Sequence, residues 1–289
     1  MQLEIKNLSK KYSNGVQALD NVSLTIERGM FGLLGQNGAG KYTLMRTLAT
    51  LQDPDSGSVH FNGIDVLKQP EVLRKTLGYL PQEFGVYPNV TAEELLFHIA
   101  DMKGIVQKGE RKDTVEALLQ KVNLYEVRNK RLDGYSGGMK QRFGIAQALI
   151  GSPELIIVDE PTAGLDPMER NRFYNLLSEL GENAVVILST HIVEDVSTLC
   201  TDMAIIGKGK VVLTGKPSEI EEALRGKLYE VPIDKKMLAE YQEKYKVISH
   251  RFFAGRMMIT VLADDAPAGE FDAKAPSLED AYFKILSEN

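Results

Sequence analysis

The stretch GQNGAGKYT, residues 35–43, matches the phosphate-binding P-loop pattern G-x-x-x-x-G-K-[ST] at every position except the last. Glycines in such a loop let backbone N–H groups turn inward around phosphate oxygens, and the following helix presents its positive end to them. A lysine placed as Lys41 is can reach the β and γ phosphates of a nucleotide. The sequence therefore predicts a nucleotide-binding loop made of Gly35, Gln36, Asn37, Gly38, Ala39, Gly40, Lys41, Tyr42 and Thr43.

Tyr42 is the position at which this loop departs from the pattern. A serine or threonine hydroxyl there supplies one of the oxygen ligands of Mg²⁺, which demands near-octahedral ligands at about 2.0–2.1 Å. A phenol oxygen lies at the far end of its ring, and the neighbouring Thr43 points about 100° away on a helix. We therefore expect partly retained nucleotide binding with impaired Mg²⁺ placement and hydrolysis, unless the ring swings clear and the site works normally.

The apolar residues on both sides of the loop indicate an α/β fold. Apolar side chains alternate at residues 3–5 and 22–26, and residues 30–34 form an apolar run that leads into the loop. Residues 155–158 and 185–188 are short continuous apolar runs, typical of strands buried on both faces of a parallel sheet. Strand, glycine loop and helix therefore follow one another in the order that a P-loop requires.

Chain length and local patterns predict the domain organisation. A chain of 289 residues is long enough for one main domain and an appendage. We expect a main domain over residues 1–220, with a helical subdomain at about 90–150, and a small C-terminal α/β extension over residues 221–289. Capping-box spacing marks two helix starts in the helical part, one at Thr91 with Glu94 and one at Asp113 with Glu116. In the extension, residues 228–232 are typical of a strand, residues 249–262 of a hairpin and residues 277–289 of a final helix.

Composition excludes several classes of protein. The chain carries 34 Lys and Arg against 40 Asp and Glu, a net charge of −6, which argues against sequence-independent binding of nucleic acid. Its longest apolar runs are far shorter than the roughly 20 residues that cross a bilayer. Cys200 is the single cysteine, so no internal disulfide can form and a reducing cytoplasm fits.

Two adjacent carboxylates end the apolar run LIIVDEP, residues 155–161. Charged groups beside buried apolar side chains are costly unless they meet a metal or a water. Phosphoryl transfer mainly requires a positioned nucleophile and dispersed charge, so we assign Asp159 to Mg²⁺ and Glu160 to the attacking water. The alternative is that both acids only cap the loop before Pro161.

The segment YSGGMKQR, residues 135–142, resembles the signature motif of ABC-type ATPases, the cytoplasmic motor subunits of membrane transporters. The resemblance covers about residues 1–220 and implies a P-loop NTPase fold of that type, with an antiparallel β subdomain and a helical subdomain. In this family Ser136 and the N–H groups of Gly137 and Gly138 would cap the γ phosphate of ATP held by a second copy. Ser136 is also a good helix start, and both interpretations are compatible.

Four further positions match residues of that family. The resemblance implies that Gln82 senses Mg²⁺ and the attacking water, and that His191 contacts the γ phosphate. It also implies that Tyr12 stacks on adenine and that Asp166 crosses the dimer interface. Taken singly, these residues would be a loop glutamine, a structural histidine, a strand-end tyrosine and a helix cap. Their common order and spacing favour the family roles.

The resemblance implies ATP and Mg²⁺ as cofactors, and a second copy of the chain and separate transmembrane permease subunits as partners. No nucleic acid is expected, and the protein would lie on the inner face of the cell membrane through its permease. The tail, which contains SLEDAYF at residues 277–283, resembles the extension of motor subunits that pair with export-type permeases. Two alternatives stay open, a soluble ABC protein acting on DNA or ribosomes and a nucleotide-binding subunit with little turnover because of Tyr42.

Overall fold

The computed structural model describes residues 1–82, 85, 89–162 and 165–288. Within it the chain forms two compact units, Met1–Leu213 and Thr214–Asn289. None of the helices in the described ranges combines the length and the apolar character of a membrane span.

Strands and helices alternate along most of the chain. The strands are β1 Gln2–Lys11, β2 Gln17–Glu27, β3 Gly29–Leu34, β4 Ser56–Phe61, β5 Ile64–Asp65, β6 Leu77–Leu80, β7 Leu155–Asp159, β8 Val185–Thr190, β9 Asp202–Gly207, β10 Lys210–Gly215, β11 Leu228–Ile233, β12 Val247–Phe253, β13 Arg256–Leu262 and β14 Asp272–Ala273. The helices are α1 Lys41–Leu48, α2 Pro70–Thr76, α3 Ala92–Met102, α4 Lys108–Lys121, α5 Gly137–Leu149, α6 Pro167–Gly181, α7 Val193–Leu199, α8 Pro217–Glu222, α9 Leu238–Lys244 and α10 Leu278–Glu288.

The central sheet of the first unit has the strand order β10-β9-β3-β8-β7-β6. Strands β9, β3, β8, β7 and β6 pair in parallel, and every residue of β7 and β8 is buried. The predicted parallel strands are therefore confirmed. Because the carboxyl ends of parallel strands meet at one edge of a sheet, the described residues directly after β3, β6, β7 and β8 lie at that edge.

A second sheet, with the order β2-β1-β4-β5, is antiparallel throughout. One buried apolar cluster joins it to the central sheet and to α1, and its largest fully buried members include Leu3, Phe61, Leu33 and Met45. This core fixes the start of α1 relative to the end of β3, which is where the glycine loop runs.

The helical part of the first unit contains α3, α4 and α5. Thr91 caps α3 as predicted, since its hydroxyl accepts a hydrogen bond from the Glu94 N–H and the Glu94 carboxylate accepts one from the Thr91 N–H. The second predicted helix start, at Asp113, is wrong. Helix α4 begins at Lys108, and an ion pair of 2.9 Å between Arg111 of its polar first turn and Asp101 of α3 holds this start.

In the C-terminal unit the strands form an antiparallel sheet of order β12-β13-β11-β14. The predicted strand, hairpin and final helix are present as β11, β12 with β13, and α10. Leu228 and Ile248 pack with Ala281 of α10, while Val231 and Ile259 belong to a separate apolar cluster.

Candidate functional site

The glycine loop between β3 and α1 closes around the ammonium group of Lys41. Gly40 has φ 111°, and a Cβ atom there would lie 2.4 Å from the carbonyl oxygen of Ala18, so only glycine fits. The Nζ atom of Lys41 donates hydrogen bonds to the carbonyl oxygens of Gly35 at 2.6 Å and Gln36 at 3.3 Å. The start of α1 thus presents a buried cation at the edge where the parallel strands end.

The two predicted acids sit at the carboxyl end of β7, within reach of this cation. The Lys41 Nζ atom lies 3.8 Å from Oε1 of Glu160. Burial raises the pKa of the Asp159 carboxyl, and the neighbouring Glu160 charge acts in the same direction. Burial lowers the pKa of the Lys41 ammonium, and the charges of Glu160 and Asp159 partly oppose that shift. The site therefore holds three ionisable groups that are costly to bury except together.

The three predicted catalytic residues meet at one atom, Oε2 of Glu160. Nδ1 of His191 lies 3.0 Å from it, and Nε2 of Gln82 donates a hydrogen bond to it at 3.3 Å. His191 follows β8 and Gln82 follows β6, on either side of the strand that carries Glu160. The order of the strands thus brings together residues that are far apart in the sequence.

Tyr12 forms part of the same cleft. Its hydroxyl lies 3.1 Å from Oγ1 of Thr43 and donates a hydrogen bond to Oε1 of Gln52 at 3.0 Å. Sequence reasoning missed Gln52, because a polar residue in a turn carries no local signal of such a contact. The residues lining the cleft are Tyr12, Val16, Ala18, Gln36, Asn37, Gly38, Gly40, Lys41, Tyr42, Thr43, Gln82, Asp159 and Glu160.

Tyr42 is the second residue of α1, and 54% of it is exposed. Its hydroxyl accepts a hydrogen bond from Nη1 of Arg46 at 3.2 Å, and the Arg46 guanidinium carbon lies 5.4 Å from the centre of its ring. The phenol oxygen is thus engaged one helical turn along α1. It does not take the place of the small hydroxyl that the P-loop pattern expects.

The signature residues do not line this cleft in the described part of the chain. Ser136 caps α5, since its Oγ accepts a hydrogen bond from the Met139 N–H at 3.3 Å, and Ser136 and Gly137 are exposed. Asp166 likewise caps α6, accepting from the Glu169 N–H at 2.9 Å. Residues 163–164 of the predicted interface loop lie outside the described residues. In one chain, therefore, the starts of α5 and α6 are capped and exposed, and neither lines the cleft that contains Lys41.

A sequence model described as "ABC transporter" matches residues 19–163. The chain belongs to the ABC transporter family. An uncharacterized ABC transporter ATP-binding protein of Bacillus subtilis, YxlF, is 33% identical over 98% of this chain and 99% of its own length. A second Bacillus subtilis relative, the ABC transporter ATP-binding protein NatA, is 38% identical over 73% of this chain and 86% of its own.

Solved ABC structures share the fold. The ATP-binding subunit of an ABC transporter is 30% identical, with a TM-score of 0.69 over 77% of this chain and 93% of that one. A dimeric ATP-binding cassette in a post-hydrolysis state, bound to ADP and Pi, is 27% identical, with a TM-score of 0.68 over 74% of this chain and 98% of that one. The resemblance and the fold class inferred from the sequence are confirmed, and the chain is an ATP-binding P-loop ATPase subunit. ABC cassettes work as dimers and with membrane permease components.

A buried cluster around Asp195 and a contact of Gln141 were missed by the sequence analysis. Asp195 of α7 is completely buried and accepts hydrogen bonds from the hydroxyls of Thr162, Thr190 and Tyr174. The amide of Gln141, in the signature helix α5, donates a 2.7 Å hydrogen bond to the carbonyl oxygen of Pro161. No sequence pattern reveals these contacts. The donors to Asp195 lie 5 to 33 positions from it, and Gln141 lies 20 positions from Pro161.

The donors in the cleft suit a magnesium ion that arrives with a nucleotide. The described residues include no cluster of three or more His, Cys, Asp or Glu able to hold a metal alone. Mg²⁺ is usually bound through one or two carboxylates together with substrate phosphates, and the carboxylate of Asp159 lines the cleft beside the glycine loop. Gln82 uses its amide nitrogen on Glu160, so its amide oxygen is not engaged by that bond. The hydroxyl expected at position 42 is the missing member of this donor set.

Proposed function

We propose that this ABC subunit binds ATP with Mg²⁺ and hydrolyses it to drive a separate transmembrane permease on the inner face of the cell membrane. The convergence of His191 and Gln82 on Oε2 of Glu160, with Lys41 near Oε1, is the observation that carries the proposal. It combines a cation for phosphate with a largely buried carboxylate held from two sides, which is what positioned phosphoryl transfer requires.

The site residues predicted from the sequence have distinct roles in this proposal. The glycine loop and Lys41 hold the β and γ phosphates, and the ring of Tyr12 faces the adenine. Glu160 orients the attacking water and accepts its proton, while Gln82 and His191 keep the carboxylate in place. Asp159 and Gln82 would hold Mg²⁺, which when bound neutralises charge on the β and γ phosphates.

The exposed helix starts complete the site in a dimer. Ser136, Gly137 and Gly138 present a capped helix N-terminus, a natural site for an anion. In our proposal this end contacts the γ phosphate bound by the Lys41 of a second copy, and Asp166 lies at the same interface. Exposure of Ser136 and Asp166 in one chain supports that arrangement.

Export is the direction that we propose. Two relatives are named for resistance to antibiotics, linearmycin for LnrL of Bacillus subtilis and daunorubicin and doxorubicin for DrrA of Streptomyces peucetius. DrrA is 31% identical over 92% of this chain, which extends into the C-terminal unit. The methionine import ATP-binding protein MetN 1 of Oenococcus oeni matches over 75% of this chain. The match to DrrA is the longer of these two, and we therefore propose export rather than import.

A second candidate function is nucleotide binding with weak or no turnover. It is favoured by Tyr42, whose phenol oxygen bonds to Arg46 and offers no small hydroxyl to the Mg²⁺ donor set. The first candidate function requires ATP hydrolysis, whereas the second requires only nucleotide binding. Both require an intact glycine loop.

The deciding experiment is an Mg²⁺-dependent ATPase assay of the purified protein, alone and with its permease, beside Lys41→Ala as the matched inactive control. Turnover that Lys41→Ala abolishes supports the proposed ATPase motor. Nucleotide binding without turnover in either setting supports the second candidate. Stimulation by the permease tests the partner, and uptake or efflux in vesicles tests the direction.

A further inference from the structure

Asp195 is a completely buried carboxylate that the proposed mechanism leaves without a task. Its Oδ2 atom accepts hydrogen bonds from Oγ1 of Thr162 at 2.6 Å and Oγ1 of Thr190 at 2.9 Å. Its Oδ1 atom accepts one from the hydroxyl of Tyr174 at 2.5 Å. An ionised carboxylate, which only accepts, satisfies all three hydroxyls at once.

Two of these donors lie within two positions of residues of the proposed catalytic site. Thr190 directly precedes His191, and its Oγ1 also accepts a hydrogen bond from the N–H of Ile192 at 3.0 Å. The Thr190 hydroxyl therefore links the residue before His191 to the residue after it. Asp195 fixes the position of that hydroxyl by accepting its hydrogen bond. Thr162 lies two positions after Glu160, on the segment that leaves β7.

Glu160 itself needs such support. Its φ of 48° is a left-handed conformation, uncommon for a residue with a side chain. Strained conformations of this kind persist only where the surrounding structure fixes them. The N–H of Glu160 donates to the carbonyl oxygen of Ser189 at 2.8 Å, and the bond from Thr162 to Asp195 anchors the chain just beyond.

We propose that Asp195 is a positioning residue that holds the Glu160 carboxylate and the His191 ring in contact. The proposal rests on the proposed function, because it assigns the cluster to the same hydrolytic site. Asp195 does not touch the nucleotide cleft, so its effect passes through Thr162 and Thr190. Loss of the cluster should reduce the rate of hydrolysis without weakening nucleotide binding.

The test uses Asp195→Asn in a Tyr42→Ser background, chosen to raise turnover. Asparagine keeps the shape, but its amide NH₂ replaces one acceptor and faces a hydroxyl. Asp280→Asn is the matched control, since Asp280 is another buried aspartate, bonded to Ser277 and Lys274 in the C-terminal unit. We expect Asp195→Asn to lower kcat about tenfold or more, while KM and the nucleotide Kd change by about twofold or less. Asp280→Asn should leave kcat unchanged.

Amide hydrogen exchange gives a readout that does not depend on turnover. In Asp195→Asn the N–H groups of Ile192 and Glu160 should exchange faster, while those of the core strand β9 keep their rate. In a Glu160→Gln background, Asp195→Asn should cause little further loss of kcat, because residues that act as a unit are not additive. A purely structural role predicts a lower Tm with unchanged kcat, or an independent, additive loss.

Thr190 supplies a second pair of variants if Asp195→Asn fails to fold. Thr190→Ser keeps the bridging hydroxyl and should retain kcat, whereas Thr190→Val removes it and should lower kcat at unchanged Kd. Equal kcat in the two variants would overturn the proposal. So would unchanged exchange at Ile192 and Glu160 in Asp195→Asn. Absence of turnover in the Tyr42→Ser parent would instead contradict the proposed function, and the exchange rates would still decide the role of Asp195.

Discussion

The hydroxyl of Tyr42 accepts a hydrogen bond from Arg46, one turn further along α1, at 3.2 Å. The same arginine lies 5.4 Å from the centre of the tyrosine ring, so the two side chains pair along the exposed surface of the helix. The P-loop pattern places an Mg²⁺ ligand on the residue at position 42. In this protein the only oxygen of that side chain is bonded to Arg46 instead. Lys41 and the backbone of the glycine loop are unaffected by it.

Replacing Tyr42 by serine should therefore raise Mg²⁺-dependent ATPase activity at least tenfold, about 1.4 kcal/mol of barrier. The serine restores a hydroxyl beside Lys41 that can complete the Mg²⁺ ligands. Steady-state assays across a Mg²⁺ titration measure the effect. Tyr42→Phe is the matched control, because it breaks the bond to Arg46 and adds no ligand, so its activity should stay at the parent level. Equal activity and equal Mg²⁺ dependence of Tyr42→Ser and the parent would show that the ring does not impair the site.

Glu160→Gln in the Tyr42→Ser background should keep ATP binding and lose most hydrolysis. The amide cannot accept the proton of the attacking water, and removing a positioned general base costs about 10² to 10⁴ in rate. Equilibrium binding and single-turnover hydrolysis separate the two effects. A matching loss of affinity would mean that Glu160 is structural, and parent-like turnover would remove it from the chemistry.

ATP should make two copies associate. In the Tyr42→Ser, Glu160→Gln double variant, which should bind ATP without turning it over, sedimentation velocity should show a dimer with ATP and a monomer without. Ser136→Glu is the control, because it places a negative charge where the γ phosphate of the other copy would lie, and it should remain monomeric. A monomer at saturating nucleotide, with binding confirmed, contradicts the proposed dimer site.

Asp159→Asn should stabilise the protein when nucleotide is absent and EDTA is present. The raised pKa of Asp159 means that its contribution to stability is present below the ordinary value of 3.8 and is lost as the pH rises through the raised pKa. Asparagine carries no charge at any pH, so near neutral pH the variant should have a Tm about 2 °C or more above the parent.

The pH profile supplies the control for this prediction. The gain in Tm should shrink as the pH falls toward 3.8, where the parent carboxyl also takes up its proton. A lower Tm for Asp159→Asn at neutral pH would show that attraction to Lys41 outweighs the cost of burying the charge.

Local sequence determined several strands of this protein and the chemistry of its loop. Alternating and continuous apolar runs located β1, β2, β3, β7 and β8, since side-chain spacing alone reports whether one or both faces of a strand are buried. Glycine and lysine spacing in residues 35–43 identified the phosphate loop for the same local reason. The misplaced helix start at Asp113 shows the limit, because the first turn of α4 is held by the ion pair between Arg111 and Asp101 of α3, a contact that local spacing does not report.

Tertiary structure alone decided which of these residues meet. Gln82 and His191 contact one oxygen of Glu160 because β6 and β8 flank β7 in the parallel sheet, an order that no local pattern contains. The burial of Asp195 and its three hydroxyl donors likewise depends on where α6 and α7 pack. Spacing along a chain records only neighbours in sequence, whereas the Glu160 carboxylate is held by groups that the sheet brings to it from distant segments.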